Sequence, residues 1–432
     1  MMLRWFLSKT VREAMTAHKH YRRLLAAQRD LLSSEAIGAV QTALDALTTS
    51  IKSGANNGAI RIKAEELQFA AEKWIKPYPN AAWRENIEVL LVALAVAMGI
   101  RTFFLQPFKI PTGSMQPTLF GVTSVPDFTK IRTWTQDLKP ELFNADIQTQ
   151  RQLQAAIQIP QGLEAFKEWY HGNSYIHFVA PCDGRVEDLQ APWPSAMFSL
   201  WMKIKFAGEW HTLWFPPDFG EMPLQYRASL GSDHEYKAGE DVIKMKVSAG
   251  DHLFVDRISY NFTKPDRGEI IVFATQGIAS LPQDQFYIKR LVAMPGERVQ
   301  VGDDRHLRIN GQRLDASTPH FERVYGFDPA KPPHESQFSG HLNNTVAMDY
   351  YIHPRLAPNF LDGSVVYTNQ LFEVTNYMTG EGVSHPSYMV MGDNTCNSLD
   401  SRAWGSFPSQ NVIGKCFFVY WPLTERFGWG NR

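Results

Sequence analysis

The stretch IEVLLVALAVAMGIRTFFLQPFKIPTGSMQPTL, residues 87–119, decides how the chain is organised. Its first part carries no charge from Val89 to Ile100 and approaches the ~20 residues with which a helix crosses a bilayer. Its second part places proline and glycine residues around Ser114, which stiffen the backbone or allow it to turn tightly. The stretch predicts a transmembrane helix that is followed directly by a loop presenting a serine hydroxyl.

Two other interpretations of the apolar run are less favourable. A buried helix of a soluble core is expected for runs of about 10–14 residues, which is shorter than this one. A cleaved signal peptide lies at the N-terminus, whereas this run starts beyond residue 85. The flanking aromatic side chains, as in a membrane belt, and a long cationic side chain near the far end favour the transmembrane interpretation; these are Trp83, Phe103, Phe104 and Arg101.

The charges before the apolar run predict its orientation. Residues 1–85 contain thirteen Lys or Arg and eight Asp or Glu, and Lys73, Lys76 and Arg84 lie close to the run. Basic residues are retained preferentially on the cytoplasmic side of a membrane. We therefore expect the N-terminus inside the cell and the residues after Leu105 outside it.

The region before the run is predicted to be helical. VREAMTAHKHYRRLLAAQRDLL, residues 11–32, and AEELQFAAEKWIK, residues 64–76, are rich in good helix formers, and apolar residues recur every three or four positions. SGANNG, residues 53–58, interrupts this pattern. The simplest prediction is a helical hairpin on the cytoplasmic side.

The region after the run changes in character to short β-branched and aromatic stretches bounded by Gly, Pro, Asn or Asp, which is typical of an all-β domain. The net charge of −1 gives no basic excess and so does not indicate a nucleic-acid partner. Cys182, Cys396 and Cys416 are too few for a disulfide scaffold and are not spaced as a metal site. A Cys396–Cys416 bridge and ordinary buried thiols both remain open, with thiols favoured.

A serine needs a base within hydrogen-bond reach to act as a nucleophile. The sequence contains neither a G-x-S-x-G elbow nor a Ser-x-x-Lys motif. The candidate base is Lys289 in FYIKRLVAMPGE, residues 286–297, whose apolar neighbours favour a neutral amine. If Lys289 points inward from a strand, Tyr287 shares its face and Arg290 points the other way.

Four separated motifs resemble the bacterial type I signal peptidases, also called leader peptidases. They are PFKIPTGSMQPTL at 107–119, GDHLFVDRISY at 250–260, DRGEIIVFATQ at 266–276 together with FYIKRLVAMPGERV at 286–299, and MGDNTCNSLDSRAWG at 391–405. The resemblance implies a mainly β catalytic domain of antiparallel sheets at 107–121 and 246–432. It leaves an N-terminal helical region at 1–85, a transmembrane helix at 86–106, an α+β insertion at 122–245 and a loop-rich secondary insertion at 315–380.

The resemblance also implies roles for individual residues. Ser114 would be the nucleophile, Lys289 its general base, and Ser398 would orient the lysine amine. The Thr112 hydroxyl and the Ser114 N–H would form the oxyanion hole. No metal or cofactor is implied.

Further residues of the motifs would support this site. Asp400 and Arg402 would form a bracing ion pair, and residues 392–394 are interpreted as a turn. Shallow apolar pockets for small substrate side chains would be lined by Phe108, Ile110, Met115, Leu119 and Ile288.

The implied function is that of a membrane-anchored serine endopeptidase that removes signal peptides from exported preproteins after Ala-x-Ala sites. The implied location is the bacterial cytoplasmic membrane, with a single span and an extracytoplasmic catalytic domain. Expected partners are preprotein signal peptides and the lipid bilayer, with an unknown partner possible through residues 1–80 or 122–245. The alternatives are a self-cleaving Ser–Lys repressor, which the apolar run argues against, and an anchored binding protein with a lapsed active site.

Overall fold

The computed structural model describes residues 8–76, 81–131, 135–194, 199–231, 234–278, 281–333, 339–343, 372–374, 377–378 and 384–430. The chain divides into two compact units, Met1–Val96 and Ala97–Arg432, each described separately below. Much of the predicted loop-rich stretch at 315–380 lies outside the described residues.

The first unit contains three packed helices instead of the predicted hairpin of two. They are α1 Lys9–Gln28, α2 Ser34–Lys52 and α3 Asn57–Trp74. Ser8, Ser33 and Asn56 each accept a hydrogen bond from a backbone N–H of the first turn, which fixes where the helices begin. The prediction missed the break at residues 29–33, although Ser33 is a favoured N-cap residue.

A fourth helix, α4 Ala81–Phe103, contains the apolar run. Its segment Trp83–Phe103 has 21 residues and a mean hydropathy of 1.7, and none of it is buried within the protein. By length and composition the helix could cross a membrane, and its exposed apolar side chains differ from those of a soluble core helix. This matches the interpretation favoured by the sequence.

The second unit is built mainly from antiparallel strands. The described strands are β1 Leu105–Lys109, β2 Thr123–Val125, β3 Asn173–Val179, β4 Val186–Trp193, β5 Trp201–Phe206, β6 Glu209–Trp214, β7 Asp241–Ser248, β8 His252–Asp256, β9 Ile270–Ala274, β10 Phe286–Ala293, β11 Arg298–Val301, β12 Leu307–Ile309, β13 Gln312–Arg313, β14 Phe372–Glu373, β15 Tyr377–Met378, β16 Ser384–His385, β17 Ser387–Met391, β18 Phe407–Pro408, β19 Val412–Trp421 and β20 Gly428–Trp429.

Short helices lie between these strands in the chain. They are α5 Thr135–Leu138, α6 Pro140–Ala156, α7 Gly162–Tyr170, α8 Leu224–Arg227, α9 Glu322–Tyr325 and α10 Ser401–Trp404. The longer of them, α6 and α7, fall in the first half of the predicted α+β insertion.

The largest sheet orders eight of the described strands as β1-β8-β19-β9-β10-β17-β18, with β20 paired to β19. Strand β9, with the sequence IIVFA, shows why this sheet is stable. Ile270 and Val272 enter one apolar core, whereas Ile271 and Phe273 enter another on the opposite face. Because an apolar core covers each face of the sheet at β9, the side chains on both faces of this strand are buried.

Smaller sheets complete the second unit. Strands β2, β7 and β3 form one, β4, β5 and β6 form another, and β11 to β14 form a third. The first two contain most of the strands of the predicted insertion and share a core around Ile204, Phe206 and Ile243. The predicted class, mainly antiparallel β with N-terminal helices, one long apolar helix and an inserted α+β region, is confirmed.

Candidate active site

The loop that follows β1 presents Ser114 in a fixed conformation. The backbone N–H of Asn394 donates to the Ser114 carbonyl at 3.0 Å, and the Asn394 side-chain amide donates to the Gly113 carbonyl at 2.9 Å. A Cβ on Gly121 would lie 2.0 Å from the Thr112 carbonyl oxygen, so only glycine allows this approach. Ser114 is 4% exposed, and its hydroxyl is therefore shielded from bulk water.

Lys289 on β10 meets this serine directly. Its Nζ lies 2.8 Å from Ser114 Oγ and 3.1 Å from the Ile288 carbonyl oxygen. The amine also lies 5.5 Å from the ring centroid of Tyr287, which shares its face of the strand as expected. Among the described residues no carboxylate hydrogen bonds to the amine.

The surroundings of Lys289 favour its neutral form. Burial lowers its pKa from 10.5 to about 8, and the charges of Asp400, Glu221 and Asp393 offset only part of this effect. At neutral pH a sizeable minority of the molecules then carry an uncharged amine, whereas an exposed lysine would be almost fully protonated. An uncharged amine can accept a proton from the hydroxyl that it contacts.

The Thr112 side chain also lies near the Ser114 hydroxyl. Its Oγ1 is 3.5 Å from Ser114 Oγ, at the outer limit of a hydrogen bond. Because this hydrogen bond is long, the Thr112 hydroxyl can donate to another acceptor that forms near Ser114.

Asp400 and Arg402 form a buried ion pair next to the lysine. Arg402 Nε donates to Asp400 Oδ1 at 2.8 Å and its Nη2 to Oδ2 at 2.7 Å, with both side chains at most 1% exposed. Burial alone would raise the pKa of Asp400, but the Arg402 charge and hydrogen bonds from Arg402, the Gly392 N–H and Ser398 hold it below its ordinary value.

Ser398 is connected to this ion pair. Its hydroxyl donates to Asp400 Oδ2 at 2.7 Å. A Cβ on Gly392 would come within 2.2 Å of Ser398 Oγ and 2.5 Å of the Ser114 carbonyl oxygen. Ser398 therefore lies close to the nucleophile loop, but its hydrogen-bond acceptor is Asp400 and not the lysine amine.

Residues 392–394 do more than form a turn, so the sequence interpretation of them was incomplete. Asp393 accepts two hydrogen bonds from Arg290, at 2.7 Å to Nε and 2.6 Å to Nη2, and both side chains are almost fully buried. Asn394 holds the loop of Ser114 from its other side. The sequence did contain a signal for this pair. Asp393 lies in the same motif as Ser398, and Arg290 lies in the same motif as Lys289.

Five apolar residues were predicted to line substrate pockets. Ile110, Met115 and Leu119 are at most 3% exposed and belong to the core beneath the site. Phe108 and Ile288 pack against that core but remain partly exposed. An incoming side chain would therefore meet Phe108 and Ile288 first, with the other three beneath them.

The site lies between two strand edges. Strand β1 pairs with β8 on one side, and the first half of β10 pairs only with β9 among the described residues. Phe108 on β1 contacts Phe286 on β10 with ring centroids 5.6 Å apart, so the curled sheet brings these two edges together. Unpaired backbone groups on such edges can accept an extended peptide as an added strand.

None of the three cysteines forms a disulfide, so no Cys396–Cys416 bridge is present. Cys416 is buried, and burial raises the pKa of its thiol to about 12, which keeps it protonated and inert. The interpretation as ordinary thiols was therefore the correct one.

The fold and the site define a β-sheet protein in which a buried lysine amine lies within hydrogen-bond distance of a serine hydroxyl. The sequence model of a family described as signal peptidase, peptidase S26, matches residues 83–127 and 237–421, more than half of the 432 residues. The chain belongs to this family, and the resemblance inferred from four motifs is confirmed. The family model leaves out residues 128–236, which correspond to most of the predicted insertion.

Individual relatives match part of the chain. Signal peptidase I of Leptolyngbya laminosa is 29% identical over 182 residues, which cover 41% of this chain and 64% of that protein. The probable signal peptidase I-2 of Synechocystis sp. is 25% identical over 180 residues, which cover 41% of this chain and 59% of that protein. The chain thus spans less than two thirds of either relative.

A crystal structure of a signal peptidase I from Enterococcus faecalis V583 is similar at 23% sequence identity. It covers 35% of this chain and 97% of its own, with a TM-score of 0.20.

Proposed function

We propose that this protein is a membrane-anchored endopeptidase that removes signal peptides from exported preproteins, with Ser114 as nucleophile and Lys289 as general base. The observation that carries the proposal is the 2.8 Å contact between Ser114 Oγ and the amine of the buried Lys289. The family of the chain supports the substrate class, and the proposed cleavage after Ala-x-Ala sites rests on the resemblance of the four motifs.

The chemistry proceeds in two halves. The neutral Lys289 amine takes the proton of the Ser114 hydroxyl as Oγ attacks the scissile carbonyl, and the Ser114 N–H and Thr112 hydroxyl stabilise the oxyanion. The lysine then protonates the leaving amine, which releases the mature protein and leaves the signal peptide as an ester on Ser114. Water, deprotonated by the same lysine, hydrolyses the ester and regenerates the serine.

Ser398 would act on this lysine through Asp400, because its hydroxyl donates to that carboxylate. Of the charged groups that act on Lys289, Asp400 has the largest effect, and it raises the pKa of the amine against the effect of burial. The ion pair with Arg402 would keep Asp400 ionised and in place through the reaction.

The substrate would bind as an extended strand in the gap between the edges of β1 and β10. Backbone pairing there is independent of side-chain identity, which suits substrates of varied sequence. Phe108 and Ile288 would limit the size of the side chains next to the scissile bond.

The long apolar helix α4 would anchor the protein in the cytoplasmic membrane of a bacterium, with the N-terminus inside. The basic excess of residues 1–85 supports this orientation. Ser114 lies eleven residues after the end of that helix at Phe103, so the anchor would keep the site near membrane-embedded substrates. Restricting both partners to one membrane raises their effective concentration.

The test is cleavage of a preprotein reconstituted with the full chain in lipid vesicles. We expect the wild type to release the mature protein and Ser114→Ala to lose all measurable cleavage, because among the described residues Ser114 supplies the hydroxyl that contacts Lys289. Ser34→Ala, at an exposed position at the start of α2, is the matched control and should cleave normally. Cleavage by Ser114→Ala at the wild-type rate would refute the proposal.

A further inference from the structure

A loop of the inserted region lies against the strand that leads to Ser114. We call residues 216–222, between β6 and α8, the 216–222 loop. A Cβ on Gly220 would lie 2.9 Å from the Pro111 carbonyl oxygen, and Gly220 has a φ of +66°. Asp218 of the loop forms an ion pair with Lys109, the last residue of β1. The loop thus runs beside the segment from Lys109 to Pro111.

A buried arginine fixes the loop in this position. Arg227, 4% exposed, donates from Nε to the carbonyl oxygens of Phe219 at 3.0 Å and Met222 at 3.1 Å. Its Nη1 donates to Asp127 Oδ2 at 2.9 Å, and its Nη2 donates to the Val122 carbonyl at 3.3 Å. Because Val122 follows the Ser114 loop closely, one guanidinium group ties the 216–222 loop to the chain that carries the nucleophile.

In the chain, Glu221 lies between Phe219 and Met222, whose carbonyl oxygens accept hydrogen bonds from Arg227. Glu221 itself is exposed. Burial lowers the pKa of Lys289, and the charges of Asp400 and Glu221 act in the opposite direction. Burial also raises the pKa of Tyr287, and the charge of Glu221 raises it further. The 216–222 loop packs against Pro111, three residues before Ser114, and the charge of Glu221 on this loop acts on the Tyr287 and Lys289 side chains of β10.

Glu221 has no ion-pair partner among the described residues. Within the described part of the chain no Lys or Arg side chain forms an ion pair with it, whereas the neighbouring Asp218 is neutralised by Lys109. The other charged groups that act on Lys289, namely Asp400, Asp393 and Arg402, are buried and paired among themselves or with Arg290. Of these four charged groups, Glu221 is the one that is exposed to solvent.

We propose that Glu221 is a specificity-determining residue, which selects preproteins with a basic side chain close to the scissile bond. This inference rests on the proposed function. It concerns residues outside the part of the chain that the family model matches. Arg227 holds the loop that carries Glu221, and an exposed carboxylate on this loop attracts a lysine or arginine of a peptide bound between β1 and β10. It repels an acidic side chain in the same place.

The test measures kcat/KM of the full chain on peptides that contain one Ala-x-Ala site. The peptides differ only by Lys, Gln or Glu, placed in turn at each position flanking the scissile bond. We expect the wild type to prefer Lys over Glu by about two- to five-fold at one position or more, the range for exposed charge pairs. Glu221→Gln should abolish this preference, and Glu221→Lys should reverse it.

A second readout separates this role from a purely structural one. Because the charge of Glu221 raises the pKa of Lys289, Glu221→Gln should move the acid limb of the pH–rate profile to lower pH. Glu209→Gln, at an exposed position on β6 of the same region, is the matched control and should leave both the preference and the limb unchanged.

The outcomes distinguish the two proposals. If the wild type cleaves these peptides but treats Lys and Glu alike at every position, the role of Glu221 is refuted and the proposed function stands. If Glu221→Gln keeps the wild-type preference, the role is likewise refuted. If the wild type cleaves neither peptides nor preprotein, both proposals fail.

Discussion

The two faces of strand β10 give adjacent basic residues opposite environments. Lys289 and Arg290 are 5% and 1% exposed, so both are buried. The lysine meets a hydroxyl and a carbonyl oxygen, whereas the arginine meets the Asp393 carboxylate through two short hydrogen bonds. The difference between the faces is the presence of a carboxylate partner, and it separates a group that can act as a base from one that supports the fold.

The residue types match these environments. A lysine can release its proton when burial makes the charged form costly, and without a bonded carboxylate nothing fully restores that charge. An arginine keeps its charge at any accessible pH, so its burial requires a partner. The most direct tests therefore change the residue type at Lys289 or remove the carboxylate partner of Arg290.

The largest effect is expected for Lys289→Met, which keeps the length of the side chain and removes the amine. Loss of a general base lowers kcat by about 10²- to 10⁴-fold, measured on a preprotein in vesicles. Lys289→Arg is the informative companion, because it keeps a cation that cannot lose its proton. It should be equally inactive, and activity above a tenth of the wild type in either variant would contradict the role of a neutral amine.

The burial of Lys289 should also make the free energy of unfolding depend on pH. Its folded pKa of about 8 lies below the unfolded value, so the unfolded chain binds more protons between about pH 8 and pH 10.4. The free energy of unfolding of the wild type therefore rises with pH across that window by about 3 kcal/mol relative to that of Lys289→Met. Below pH 8 the destabilising effect of burying the charged amine is fully present. Equal pH dependence of the two proteins in thermal unfolding would show that the amine is not buried as a neutral group.

On the other face, Asp393→Ala should destabilise the fold by about 3–5 kcal/mol, because it leaves the Arg290 charge buried without its partner. Thermal or denaturant unfolding of the full chain measures the loss. The double variant Arg290→Met with Asp393→Leu removes both charges and should recover most of it.

An exposed ion pair provides the control for this prediction. Asp183 and Lys237 lie 3.1 Å apart with side chains 64% and 79% exposed. Asp183→Ala should leave the unfolding temperature unchanged within error. If Asp393→Ala behaved like this control, the buried arginine would not depend on its carboxylate.

The sequence predicted one face of β10 better than the other, and the reason is physical. Lys289 could be singled out because its motif and that of Ser114 occur together after an apolar run. Alternation placed Arg290 on the opposite face, but it could not show that this face is also covered. That depends on how the sheet curls and on chain segments distant in sequence, as does the contact between Asn394 and the Ser114 carbonyl.

The same limit applies elsewhere in the chain. Helical composition predicted the first unit, but the break near Ser33 was hidden because the flanking residues are also good helix formers. The 216–222 loop contains no motif, and its position beside Pro111 follows from Arg227, which is joined to Asp127 across a hundred residues of chain. Local patterns identify elements and chemistry, whereas long-range ion pairs are seen only in the fold.

The smallest of these effects is expected for Ser398→Ala, which tests whether Ser398 acts on Lys289 through Asp400. Asp400 would lose one hydrogen bond but keep those from the Gly392 N–H and the Arg402 side chain. The loss of one hydrogen bond to a charged group corresponds to about 1.5–3 kcal/mol at most, and the remaining donors share it, so we expect about a ten-fold fall in kcat/KM. Ser401→Ala, which removes a buried hydroxyl that accepts from the Val390 N–H at 3.0 Å, controls for a loss of packing and should lower stability with little change in kcat. A fall with Ser398→Ala as large as that of Lys289→Met would mean that the hydroxyl holds the amine directly, and the indirect route through Asp400 would then be wrong.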